Sequence, residues 1–280
     1  MEFAGQRTRP FLGSLLTMPL IPCVCLIFFL LVAYSSRSLP GAEASLWTVL
    51  FSAILSSVAG FAFSPLAGAV LFQVHPDAVM VVQILLVGSI AMQVYCIWHM
   101  RVQVRSFEFV PYVIGSLITL PFGVLLLVKS HAASFLPMLG LLLLAYGAFT
   151  TFRPVIDLGR SNALSGRVLS GALGGITGGL VAFPGAFVAI WCQAQGFEKD
   201  RQRAIVQPFI LINQLAAMAI LSFVAPVATV SLETLQYAAP AVVGAYIGLC
   251  IFRRLKTSEF NRVVGAALVI AGLLMALKGL

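Results

Sequence analysis

Gly174-Gly175-Ile176-Thr177-Gly178-Gly179-Leu180-Val181-Ala182-Phe183-Pro184-Gly185 sits inside the apolar stretch 168–192, which is long enough to cross a bilayer. Five glycines and a proline in twelve residues break a helix in mid-membrane. Broken backbone at that depth survives only where it is buried in protein or lines a cavity. The stretch 46–72 repeats the pattern more weakly, with Ala59-Gly60-Phe61-Ala62-Phe63-Ser64-Pro65 at its centre. The competing reading of both is an ordinary spanning helix with a kink.

Around these two segments the chain is apolar throughout. Its 280 residues are 60% hydrophobic and 9% charged. An ordinary soluble domain carries roughly 25% charged residues. Too little polar surface remains to coat a water-soluble globule, so the solvent for most of the chain is lipid. Other charge-poor segments lie at 12–34, 78–98, 109–128, 133–152, 204–225, 235–252 and 263–277. The first of these follows Arg7 and Arg9 and could imitate a signal peptide, with Ala42-Glu43-Ala44 as a cleavage site. It is longer than a signal core, and the expectation is an uncleaved helix.

The net charge of +8 is distributed over short loops, as topology signals are, and not gathered into a patch that would suit nucleic acid. Suppose all nine segments span. Lys and Arg then divide 10 to 7 between the two sides. Suppose instead that the two Gly/Pro segments enter and leave on one face. One side then holds 14, and the other only Arg37, Lys129 and Lys278. The second split is the asymmetry that positive-inside topology requires. The expected fold is therefore an all-α integral membrane protein of seven spanning helices plus two re-entrant hairpins, against eight or nine full spans. It is placed multi-pass in the cytoplasmic (inner) membrane with the N-terminus in the cytoplasm.

This topology divides the chain into an extra N-terminal helix (1–45) and two halves (46–158 and 159–280), each a hairpin plus three helices. Three is odd, so the second half inserts upside down. Inverted repeats whose broken helices meet at the midplane are a common transporter plan. Two faint echoes support the halves: Ser64-Pro65 with Phe183-Pro184, and Gln83 with Gln207.

At these residues the chain resembles the sulfite exporter TauE/SafE family of membrane transporters. The resemblance rests on the Gly/Pro-broken segment at 59–65, the basic turn at 99–105 and the Gly-rich run 169–179. It continues through Phe183-Pro184-Gly185, the polar turn 196–203 and the ending 244–255. The first break departs from the family in having one glycine where several are usual. The resemblance implies transport of small anions such as sulfite or organosulfonates. The alternative is a non-transporting assembly or scaffold protein.

A helix that restarts inside the membrane presents backbone N–H groups and a partial positive charge to an anion. Pro65 and Pro184 suit the first position of such half-helices, and Ser64 is the expected cap of the first. The candidate binding residues are Thr177, Gly178, Gly179, Pro184 and Gly185 in the second segment and Gly60, Ser64 and Pro65 in the first. Gln83 and Gln207 join them from the following helices. The competing role for the glycines is close helix packing, and for the amides interhelical hydrogen bonding. The same choice faces Ser89, Gln93, Asn213 and Gln214. Gly244 and Gly248 are read as packing.

No Asp, Glu, Lys or Arg falls at the middle of a span; the charges at 198–201 are read as solvated turn residues. His75, His99 and His131 are scattered, and the sequence holds no hydrolase or nucleotide motif, so no enzyme and no cofactor or metal is expected. The five cysteines lie in or beside apolar runs without zinc spacing. The expected partners are a small anion and the lipid bilayer, with a homodimer as the candidate assembly and no nucleic acid.

Overall fold

Among the described residues the chain forms helices and turns and no strand. The structure is a computed structural model. It describes residues 41–99, 107–129, 137, 140–145, 147–148, 164–225, 232–252, 266, 269 and 272–273. The expected helix at 12–34 lies outside these residues, and those at 133–152 and 263–277 lie mostly outside them.

The elements are α1 (Gly41–Ala59), α2 (Phe63–Val74), α3 (Ala78–His99), a 3₁₀ turn (Phe107–Phe109) and α4 (Val110–Lys129). After them come α5 (Leu164–Val181), α6 (Gly185–Ala194), α7 (Lys199–Val224), the short α8 (Leu232–Leu235) and α9 (Ala238–Phe252). Among the described residues four stretches are long and apolar enough to cross a membrane: Ala78–His99, Phe107–Lys129, Asp200–Val224 and Glu233–Ile251. On α4 the outward residues Ile114, Ile118 and Phe122 recur every fourth position and are more than half exposed. Such a stripe is an aggregation surface in water and an ordinary solvent contact in lipid. The chain is a multi-pass helical membrane protein.

Each Gly/Pro segment forms two helices that fold back on each other. The first pair is α1 and α2, the second α5 and α6, and the members of each pair pack together. Ser45 in the first turn of α1 meets His75, just past the end of α2, with Oγ and Nε2 2.8 Å apart. In the second pair a Cβ on Gly166, near the start of α5, would strike the Trp191 ring near the end of α6. The first leg is long in both pairs, 19 residues in α1 and 18 in α5. At 1.5 Å per residue each reaches about 27 Å.

Packing explains seven of the glycines. Gly171, Gly175 and Gly179 recur every fourth residue along α5 and face α4. Added Cβ atoms there would meet the backbone of Tyr112, the Ser116 carbonyl and the Leu120 carbonyl respectively. Gly115 and Gly123 reciprocate from α4 against the Val168 and Ile176 carbonyls. Small residues on both helices let the backbones touch, the packing mode that lipid favours. Gly244 and Gly248 of α9 do the same against α1, at Leu50 and Ile54. Thus the long leg of each pair packs on a spanning helix from the other half of the chain.

Candidate functional site

The two breaks have the same backbone plan. Each spans three residues, Gly60–Ala62 and Ala182–Pro184, and each opens on a left-handed residue. Gly60 has φ +89° and Ala182 φ +54°. The left-handed region suits glycine and penalises a Cβ by about 1–2 kcal/mol. In the second break, therefore, the strained residue is an alanine, and none of the neighbouring glycines takes that conformation.

Ala182 is held by bonds on both sides. The Phe183 N–H donates to the Thr177 carbonyl at 3.2 Å. The Thr177 hydroxyl reaches back to the Phe183 carbonyl at 2.8 Å. The Ala182 carbonyl, turned out of the helix, accepts from the Ser64 hydroxyl at 2.5 Å and lies 3.4 Å from the Gln214 amide nitrogen. Ser64 belongs to the first pair, so this bond joins the two breaks. A Cβ on Gly185 would come within 3.1 Å of the Phe61 Cβ, a second point where the breaks touch.

This corrects two details of the sequence reading. Ala62, with φ −93° and ψ 17°, takes the cap position that Ser64 was expected to fill, and it makes no side-chain cap bond. The Ser64 hydroxyl is used on the other break instead. Pro65 is the third residue of α2, and Pro184 directly precedes α6. Proline fits at Pro65 because first-turn N–H groups have no partner within the helix. The breaks align as 60–62 with 182–184, so Ser64-Pro65 and Phe183-Pro184 do not occupy equivalent places.

The other candidates divide by face. Gly178 points toward α7, where a Cβ would strike the Asn213 side chain and the Pro184 ring. Gly179 points away, into the α4 interface. Gly60, Phe61, Ser64, Thr177, Pro184 and Gly185 gather around the junction of the breaks. Gln83 is buried on α3, five residues before Gly88, whose missing Cβ makes room for the Phe63 ring. Gln207 is buried on α7, and its side-chain oxygen meets no hydrogen-bond donor among the described residues.

One helix runs past both breaks. On α7, Arg203, Gln207, Ile210 and Gln214 lie four, three and four residues apart and so share a face. Arg203 backs onto Gly60, where a Cβ would sit 3.0 Å from its Nε. Ile210 packs at Gly185, and Gln214 reaches Ala182. Asn213, on the flank, donates to the Ser116 hydroxyl of α4. Arg203 was read as part of a polar turn ending at residue 203. The helix starts at Lys199, which carries Arg203 inward, 2% exposed, with its guanidinium donating to the Ser57 carbonyl of α1. Among the described residues it is the one fully buried charge. The signal available in the sequence was the spacing 203-207-214 of polar residues on one helical face.

Among the described residues no cluster of three or more His, Cys, Asp or Glu could hold a metal. The family model described as Sulfite exporter TauE/SafE matches residues 45–275. No curated protein and no solved structure matches the chain.

Proposed function

The chain belongs to the TauE/SafE sulfite exporter family, and on that premise we propose that it moves small sulfur-containing anions, sulfite or organosulfonates, across the cytoplasmic membrane. The two broken pairs act as re-entrant hairpins in inverted halves, with the N-terminus in the cytoplasm. The observation that carries this reading is the meeting of the two breaks, through Ser64 and the Ala182 carbonyl, beside a helix face bearing buried polar groups. A scaffold has no use for two buried chain breaks held together in an apolar bundle. A transporter uses them to assemble a site from both halves and to expose it alternately as the halves rock.

Binding tests the substrate class. Purified full-length protein should bind sulfite or a simple alkanesulfonate and ignore a neutral solute of similar size. Failure to bind any sulfur oxyanion would remove the transport reading and leave the scaffold. Labelling tests the topology. In a background cleared of native cysteines, single cysteines at positions 105, 199 and 254 should be shielded from an impermeant external reagent, and one at 129 should react. Opposite sidedness of 105 and 199 would mean that the second broken segment crosses the membrane.

A further inference from the structure

The sequence alone offers no cation within the apolar spans, yet the fold brings one to the first break. Arg203 is buried one turn into α7, and α7 from Asp200 is apolar enough to span. A guanidinium is permanently charged, and taking it out of water costs several kcal/mol unless its surroundings repay it. The Ser57 carbonyl accepts one of its N–H groups. Asp200, three residues earlier on α7, is only partly buried. Gly60 lets the guanidinium lie directly against the backbone of the first break, which no residue with a Cβ would permit without displacing it. One turn further along the same face comes the Gln207 amide, 1% exposed. An ionisable group kept at such a place marks a functional site.

We infer that Arg203 is the charge selector of the site: its guanidinium holds two oxygens of a small oxyanion at the first break, and the Gln207 side-chain NH2 donates to a third oxygen of the same ligand. The inference rests on the transport reading and adds to it the group that distinguishes an anion from a neutral molecule of the same shape. The planar fork of a guanidinium matches a sulfite or sulfonate face in two-point contact, which an ammonium cannot reproduce. The helix termini of the two breaks contribute only partial charges, so Arg203 sets the sign of the ligand.

The test measures affinities of the full-length protein for ethanesulfonate and for its neutral counterpart ethanesulfonamide, with the melting temperature taken on the same preparations. Wild type should prefer the sulfonate. Arg203→Gln should weaken sulfonate binding by about 20-fold or more, the usual worth of a hydrogen-bonded charge, and leave the sulfonamide affinity within about threefold, on the same scale. Arg203→Lys should keep the preference for the anion with affinity lowered about fivefold, since the charge survives and the fork does not. Sulfonate affinity in Arg203→Gln within a factor of two of wild type would overturn the assignment, as would a parallel loss for both ligands. If Arg203→Gln does not fold, Arg203→Lys decides alone, and unchanged affinity there overturns the two-point hold. No sulfur oxyanion binding in wild type would overturn the transport reading together with this one. Binding that persists in the variants would overturn only the role of Arg203.

Discussion

At the first break the left-handed residue is Gly60, and the group behind it is the Arg203 guanidinium. At the second, the left-handed residue is Ala182, and the groups around it are the Thr177 hydroxyl, the Ser64 hydroxyl and the Gln214 amide. The backbone device is the same, but the surroundings differ. A glycine is required where a side chain must lie flat against the turn, because a Cβ would occupy that space. An alanine can hold the same conformation where hydrogen bonds close around its carbonyl. Those bonds, about 1 kcal/mol each net, offset the roughly 1–2 kcal/mol cost of the conformation. One break therefore contributes charge and the other contributes a polar clasp.

Exchanging the residue types should have opposite effects at the two breaks. Gly60→Ala adds a strained Cβ and pushes on Arg203, and should cost about 2–3 kcal/mol, combining the left-handed penalty with overpacking. Ala182→Gly relieves the strain and loses some unfolded-state advantage, for a net change between zero and about 1 kcal/mol of stabilisation. Thermal unfolding in one detergent reads both. Two shifts of the same sign would mean that the breaks are not built on the contrast described here.

Ser64→Ala is the next smaller effect. It removes the bond that ties the first pair to Ala182 and leaves that carbonyl with the long Gln214 contact, at a cost of about 1 kcal/mol. Because both side chains serve one acceptor, Ser64→Ala and Gln214→Leu should be non-additive in a double-mutant cycle. Additivity would show that the two groups do not share the Ala182 carbonyl.

The smallest effect belongs to His75, at the open end of the first pair. Burial lowers its pKa below the ordinary 6.5. The folded protein therefore binds fewer protons here than the unfolded chain does. The contribution to stability is fully present above pH 6.5 and is lost as the pH falls from there through the lowered, folded-state value. His75→Gln should flatten the melting temperature between pH 5 and 7, a range chosen to bracket the ordinary histidine value of about 6.5. An unchanged slope would place the acid sensitivity elsewhere, and the second pair has no histidine at the corresponding end to supply it.

Much of this was legible in the residues. Charge scarcity determined the solvent, and the Gly/Pro clusters at 59–65 and 174–185 located the two breaks. The order and repetition of the motifs identified the family. Those properties depend on local chemistry: a helix either can or cannot continue through Gly, Pro and strained turns, whatever packs on it. The glycines were less legible, since Gly178 and Gly179 are adjacent in sequence yet face α7 and α4 respectively. A one-dimensional pattern does not say which neighbour each face meets.

Arg203 was hidden for a related reason. It stands at the edge of a charged run, and a run of Glu, Lys, Asp and Arg reads as solvated turn. Where α7 starts, and that the tip of the first pair lies beside its first turn, are long-range facts. Ser57 and Arg203 are 146 positions apart. Composition and local pattern thus determined the medium, the helices and the places where they break. Only tertiary packing decided which broken end meets which, and whether a charge near a helix start faces water or the interior, because those outcomes depend on contacts between residues that are distant along the chain.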